Sequence, residues 1–234
     1  MNDEKRPSLD ELVSEMSHSI KNILNKLEGG AYMVNSGLSR DRPEILKSGW
    51  SILEENIDRV SDLLMNILLY SKEWAPEPET CSPNKILDDV FDVIRGRIRG
   101  SKTELSKESA PEVEECLLDP KAIHMALLNI YGYVIGSLRP GDRGSRDVRL
   151  ELAAEEGDEG VRFKVLVFGQ GVSTVIHETA FEELYKREPM DATFGLRVAK
   201  KVVEAHRGTL TLESMPGEGL IFTVYVPANR EARA

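Results

Sequence analysis

His18 heads a short polar run, His18-Ser19-Ile20-Lys21-Asn22, whose residue types suit nucleophilic chemistry. An imidazole with an exposed ring nitrogen is a nucleophile and a proton carrier near neutral pH. Lys21 can supply positive charge nearby, and Asn22, four residues on, can orient or cap the ring. The run lies in a helical pattern whose apolar positions are Leu9, Leu12, Val13, Met16, Ile20, Ile23, Leu24, Leu27, Ala31, Val34 and Leu38, in steps alternating around three and four. At about 100° per residue that seam averages to one direction, and His18 points roughly opposite to it. Asn22, Asn25 and Gly29 share the outward line of His18, so a second protein can approach it there. The alternative for a lone outward histidine, and for Lys21 and Asn22, is ordinary solvated helix surface. His124 sits at the edge of a later helix, and His177 and His206 are isolated, with no second ligand at metal spacing, so no metal site is expected.

The elements that must hold His18 come from a chain of 234 residues, 41% apolar and 30% charged, ample for a folded core. Thirty basic against 40 acidic residues give a net charge of −10. Binding to phosphate backbones or anionic lipid relies on clustered Lys and Arg, so neither a nucleic-acid nor a membrane partner is expected. No apolar run approaches membrane-spanning length, and the first residues lack the apolar stretch of a signal peptide, so the expected location is the cytoplasm. Cys81 and Cys116 show no metal spacing and no disulfide framework, and read as reduced thiols.

Ser8 followed by Glu11 makes a capping box, so the first helix is predicted to start near residue 8 and to run through Gly29-Gly30 to about Leu38. Gly37 to Pro43 reads as the turn. A second seam follows at Leu46, Trp50, Leu53, Ile57, Val60, Leu64, Ile67 and Ser71. A lone hairpin buries two such seams poorly; a homodimer whose hairpins form a four-helix bundle buries both. Trp74-Ala-Pro-Glu-Pro-Glu-Thr breaks the pattern. The expected organisation is a helical hairpin over 1–75, a linker over 76–82, a two-layer α/β sandwich over 83–228 and a tail over 229–234. Within the sandwich, helices are predicted at 83–99, 119–138, 176–186 and 193–206. Strands are predicted at 113–118, 148–152, 161–167, 210–214 and 220–226. The fold class is α+β.

This plan resembles the sensor histidine kinases of two-component signalling over about residues 8–228. His18-Ser19-Ile20-Lys21-Asn22 is similar to their motif His-acidic-x-Lys/Arg-Asn in the dimerisation and histidine-phosphotransfer hairpin. Gly195 through Gly208 to Gly219 is similar to the late glycine-bearing segment of their gyrase-type ATPase domain. The resemblance implies a phosphoryl group carried on His18.

The departures from the family pattern bear on ATP. Where the family has Asn-x-x-x-Asn, with the second Asn on magnesium, this chain has Asn129-Ile-Tyr-Gly-Tyr133, and a phenol is a poor ligand for Mg²⁺. The family's Asp-x-Gly-x-Gly, whose Asp accepts from the adenine amino group, stands as Val167-Phe-Gly169-Gln-Gly171. The phosphate-cradling Gly-x-Gly-x-Gly stands as Asp191-Ala-Thr-Phe-Gly195, with one glycine left. The acidic residue after the histidine is Ser19, which cannot take a proton as a carboxylate does. An aspartyl phosphate is already activated and needs no ATP site. The expected function is therefore a histidine phosphotransferase that carries phosphoryl on His18 between response-regulator receiver domains, with no cofactor. The alternatives are an ATP-dependent histidine kinase with a divergent nucleotide site, which would use ATP and Mg²⁺, and a non-catalytic dimeric regulator that binds a kinase or receiver.

Overall fold

In the computed structural model, the described residues are 9–70, 74–98, 103–109, 113–136, 146–154, 160–168, 190–215 and 219–227. Two long amphipathic stretches form helices α1 (Leu9–Ser39) and α2 (Pro43–Tyr70). α1 runs unbroken through Gly29-Gly30, as the constant phase of its apolar seam predicts. The sequence pattern places Gly37 at the start of the turn, but it lies inside α1 and the chain reverses over Arg40–Arg42. A Cβ on Gly37 would stand 2.5 Å from the Leu46 backbone nitrogen, so that glycine answers a close helix–helix contact. Asp41 takes the left-handed conformation at the reversal (φ 49°), which a short polar side chain tolerates. Gly30 and Gly49 meet in the same way further down, where a Cβ on Gly49 would lie 2.8 Å from the Gly30 carbonyl oxygen. The two backbones thus approach more closely than larger side chains would permit.

That hairpin buries little of its own seam. Ile20, Leu24, Leu38, Trp50, Ile57 and Leu64 remain exposed, Leu64 at 62%. Buried positions between the helices include Gly30, Gly37, Gly49 and Asn56, whose Nδ2 donates to the Ile52 carbonyl at 2.7 Å. The chain divides into two compact units, Met1–Ile67 and Leu68–Ala234, so the last turn of α2 belongs to the second. There Leu69 is buried, and Tyr70 meets Phe194 edge to face at 5.3 Å.

The second unit holds β1 (Glu79–Cys81), α3 (Pro83–Arg97), β2 (Thr103–Ser109), β3 (Cys116–Leu118), α4 (Pro120–Gly136), β4 (Arg146–Ala154), β5 (Gly160–Phe168), α5 (Met190–Ala205), β6 (Thr209–Met215) and β7 (Gly219–Pro227). Five strands form one sheet in the order β2-β4-β5-β7-β6, with β2 parallel to β4 and the rest antiparallel. Strand β1 pairs with β3 in a small separate ladder. The helices cover the face to which Val161, Phe163, Val165 and Val167 of β5 point, while Arg162 and Lys164 face away. Phe163, Phe222, Leu87, Ile94, Ile123, Leu127, Ile130 and Leu196 fill the core between them.

Two strands escaped the periodicity. β1 falls within the stretch read as a linker, and at three residues it is too short to show an alternation. β2 reads Thr-Glu-Leu-Ser-Lys-Glu-Ser, polar but for Leu105, as suits an edge. Its Lys107 pairs with Asp88 of α3 and lies 5.4 Å over the Phe91 ring. The strand predicted at 113–118 is confined to β3. Helix α3 begins at Ser82, whose side chain accepts from Lys85 N at 3.4 Å, and α5 starts three residues before the predicted 193. The helix predicted at 176–186 lies outside the described residues. Among the described residues, no helix is long and apolar enough to cross a membrane.

Candidate functional site

His18 stands on the exposed side of α1, as its angle to the seam requires, and Asn22 Nδ2 lies 3.3 Å from His18 Nδ1. An i,i+4 spacing on a helix brings the two side chains together. The amide therefore engages one ring nitrogen and leaves Nε2 to the solvent side. A half-turn of the Asn22 amide exchanges donor for acceptor. With its oxygen toward the ring, Nδ1 keeps the proton and Nε2 offers a free lone pair. Lys21 and Asn25 are exposed, and a Cβ placed on Gly29 would meet nothing within 4 Å. His18, Lys21, Asn22, Asn25 and Gly29 are each exposed along α1.

The positions matched to a nucleotide pocket have a different character. Asn129, on α4, is nearly buried, and Gly195, in the first turns of α5, comes close enough that a Cβ on it would lie 3.0 Å from Asn129 Oδ1. Tyr133, one turn along α4, is 8% exposed and sits edge-on to Phe222 of β7 with ring centroids 6.1 Å apart. Val167, near the end of β5, has no exposed surface at all. Tyr133 and Val167 are therefore both buried among the core side chains of the sandwich, and a valine side chain has no atom that could accept from an adenine amino group. Burial also pushes the neighbouring Tyr131 phenol up to about 12, with Arg97 pulling weakly the other way, as a dry α4 interior requires. Gly169 and Gly171 lie outside the described residues.

One constellation was not foreseen. His206, read as isolated, donates from Nδ1 to the Val202 carbonyl at 2.7 Å and accepts the Asp119 backbone N–H on Nε2 at 3.2 Å. Asp119 caps α4 by accepting from Ala122 N at 2.9 Å, and accepts from Glu77 N at 3.1 Å with its other oxygen. This knot joins the end of α5, the start of α4 and the segment before β1. It is structural: both His206 nitrogens are committed to backbone. No spacing in the sequence links residues 87 positions apart. Among the described residues, no three His, Cys, Asp or Glu side chains are grouped to hold a metal ion.

Residues 118–230 match the family model described as Histidine kinase-, DNA gyrase B-, and HSP90-like ATPase. Among curated proteins the chain is similar to the sensor histidine kinase ZraS of Klebsiella oxytoca, at 22% identity over 231 residues. The match covers 98% of this chain and 48% of that protein, so the chain spans about half the length of this relative. Among solved structures, the histidine kinase AdeS of Acinetobacter baumannii is similar with a TM-score of 0.60 at 16% identity, covering 91% of this chain and 98% of that one. A bacterial phosphotransferase is similar with a TM-score of 0.56 at 18% identity, covering 94% and 98%. The likeness is one of fold: a helical hairpin followed by an α/β sandwich of the histidine kinase ATPase type.

Proposed function

For this two-component histidine kinase-like protein, we propose the role of a cytoplasmic, dimeric histidine phosphotransferase that carries phosphoryl on His18 between receiver domains without using ATP. The observation that carries this reading is the contrast between the two sites. The imidazole is exposed and held by Asn22, whereas Tyr133 and Val167 of the nucleotide pocket are consumed by the core. The architecture is compatible with this role, being shared by a bacterial phosphotransferase and by the kinase AdeS alike.

The step needs only the α1 surface. His18 Nε2 attacks the phosphorus of a receiver's aspartyl phosphate; the N–P bond forms, the P–O bond to the aspartate breaks, and the carboxylate leaves with the electron pair. Asn22 keeps Nδ1 occupied, and the Lys21 ammonium offsets the negative charge on the phosphoryl oxygens. Asn25 and Gly29 leave room for the receiver. Transfer to a second receiver is the reverse reaction.

The deciding experiment offers one preparation two donors: labelled ATP with Mg²⁺, and a labelled phosphorylated receiver. Acid-labile, base-stable label from the receiver alone is expected. Label from ATP would instead establish the kinase reading, which the match to an ATPase family model favours. No label from either, across several receivers, would leave a non-catalytic regulator.

The dimer rests on the exposed seam. Ile20, Leu24, Trp50, Ile57 and Leu64 would each remove large apolar area from water by pairing with a second hairpin, at about 25 cal/mol per Å². Sedimentation equilibrium is expected to return twice the chain mass of 26.2 kDa. Leu64→Arg should shift it toward one, and a wild-type monomer at micromolar concentration would remove the bundle from the proposal.

A further inference from the structure

The two cysteines lie 35 positions apart in the sequence, yet the β1–β3 ladder sets them directly opposite one another. Its register pairs Glu79 with Leu118, Thr80 with Leu117 and Cys81 with Cys116. Opposite residues of an antiparallel pair share a face, with Cα atoms about 4.5–5.5 Å apart. That spacing falls inside the window of about 4.4–6.8 Å which a disulfide tolerates. The Cys81 thiol leans across the partner strand, donating to the Cys116 carbonyl at 3.8 Å and the Leu118 carbonyl at 4.0 Å. Cys81 is half-buried and Cys116 is 3% exposed; both thiols are reduced.

We propose that Cys81 and Cys116 form an oxidation site, converted by hydrogen peroxide into an intramolecular cross-strand disulfide that clamps β1 to β3. Cys81 reacts first because it is the more accessible. Its thiolate attacks one peroxide oxygen, the O–O bond breaks and the departing hydroxide takes up the thiol proton as water, leaving a sulfenic acid. The Cys116 sulfur then attacks the Cys81 sulfur, the S–S bond forms, the S–O bond breaks, and the hydroxide leaves with the Cys116 proton as a second water. Two thiols and one peroxide thus give one disulfide and two waters; each sulfur loses one electron and the peroxide gains two.

Burial pushes the Cys81 thiol pKa up; a backbone hydrogen bond at Leu118 pulls it down, and the carboxylates of Glu79, Glu115 and Asp119 add to the rise. The site is therefore slow at neutral pH and faster as pH rises, suited to sustained oxidant and not to rapid peroxide turnover. Closure encloses α3 and β2 in one covalent loop. It also reinforces the tie from Glu77 N to Asp119, so the segment before β1 becomes covalently fixed to the strand that precedes α4.

The test treats the full chain with peroxide at mildly alkaline pH, quenches with catalase, and alkylates without reductant. The expected product is lighter than the reduced chain by two hydrogens, takes up no alkylating agent, and yields a peptide pair joined through Cys81 and Cys116. Dithiothreitol restores two alkylable thiols, and the oxidised form melts at a higher temperature than the reduced one. Oxygen added to Cys81 with Cys116 still alkylable would overturn the proposal. So would a disulfide only between chains, or two thiols left unreacted under peroxide that oxidises a free thiol of small size completely.

Discussion

Replacing His18 by Gln is expected to reduce phosphoryl acceptance from a labelled receiver to background, with the helical signal and the oligomeric state unchanged. Glutamine keeps a polar side chain on the exposed face of α1, and an exposed substitution on a helix rarely moves stability by more than about 0.5 kcal/mol. It removes the ring nitrogen proposed to form the N–P bond. Neighbouring variants should lose less. Asn22→Ala removes a hydrogen bond of 3.3 Å at a solvated site, worth about 1 kcal/mol, so transfer should slow by roughly fivefold. Lys21→Ala removes a charge that solvent already screens, and about tenfold is the ceiling for it. The order His18 far above Lys21 and Asn22 separates a nucleophile from its surroundings. A His18→Gln protein that still takes label from a receiver would place the acceptor elsewhere and end this assignment.

The histidine face was legible because a surface helix carries its geometry in its spacing. Eleven apolar positions fix the phase of α1, and His18, Asn22, Asn25 and Gly29 then follow at intervals of four, three and four. The glycines were less legible. Gly37 looks like a turn in the sequence, because glycine favours turns and close helix contacts alike and local pattern cannot separate them. Only the partner helix, with Leu46 pressed against Gly37, decides between the two.

In the sandwich the strands β4, β5, β6 and β7 announced themselves by their alternation of apolar and polar residues. β1 and β2 did not. A three-residue ladder has no period, and an edge strand such as β2 offers a single apolar residue, Leu105, because edges are kept polar. The knot of His206, Asp119 and Glu77 is a product of topology: its members come from α5, the start of α4 and the segment before β1. The same topology sets Cys81 against Cys116. Residues brought together by distant pairing leave no trace in local spacing, which is why both features surfaced only with the fold.

Restoring the family's nucleotide residues should damage the sandwich without recovering the nucleotide. Tyr133→Asn deletes a buried ring that stands edge-on to Phe222, and the cavity left behind costs about 2–4 kcal/mol. Thermal unfolding of a unit this size shifts by about 2–4 °C for each kcal/mol, so a fall of roughly 4–16 °C is expected, whereas Tyr133→Phe, which keeps the ring, should lose less. Val167→Asp sets a carboxyl at a position with no exposed surface, surrounded by the inner face of β5. It must remain protonated or bear a desolvation penalty of several kcal/mol. Carried together, the two changes consume much of the 5–15 kcal/mol that holds an ordinary domain folded. The double variant is expected to unfold tens of degrees early and to show no saturable binding in a magnesium–ATP titration run below its melting point. The opposite result, a stable double variant that binds magnesium–ATP, would mean that the pocket is intact apart from two side chains. Tyr133 and Val167 would then be recent occupants of a working site and not members of the core, and the kinase reading would regain the ground it loses to their burial.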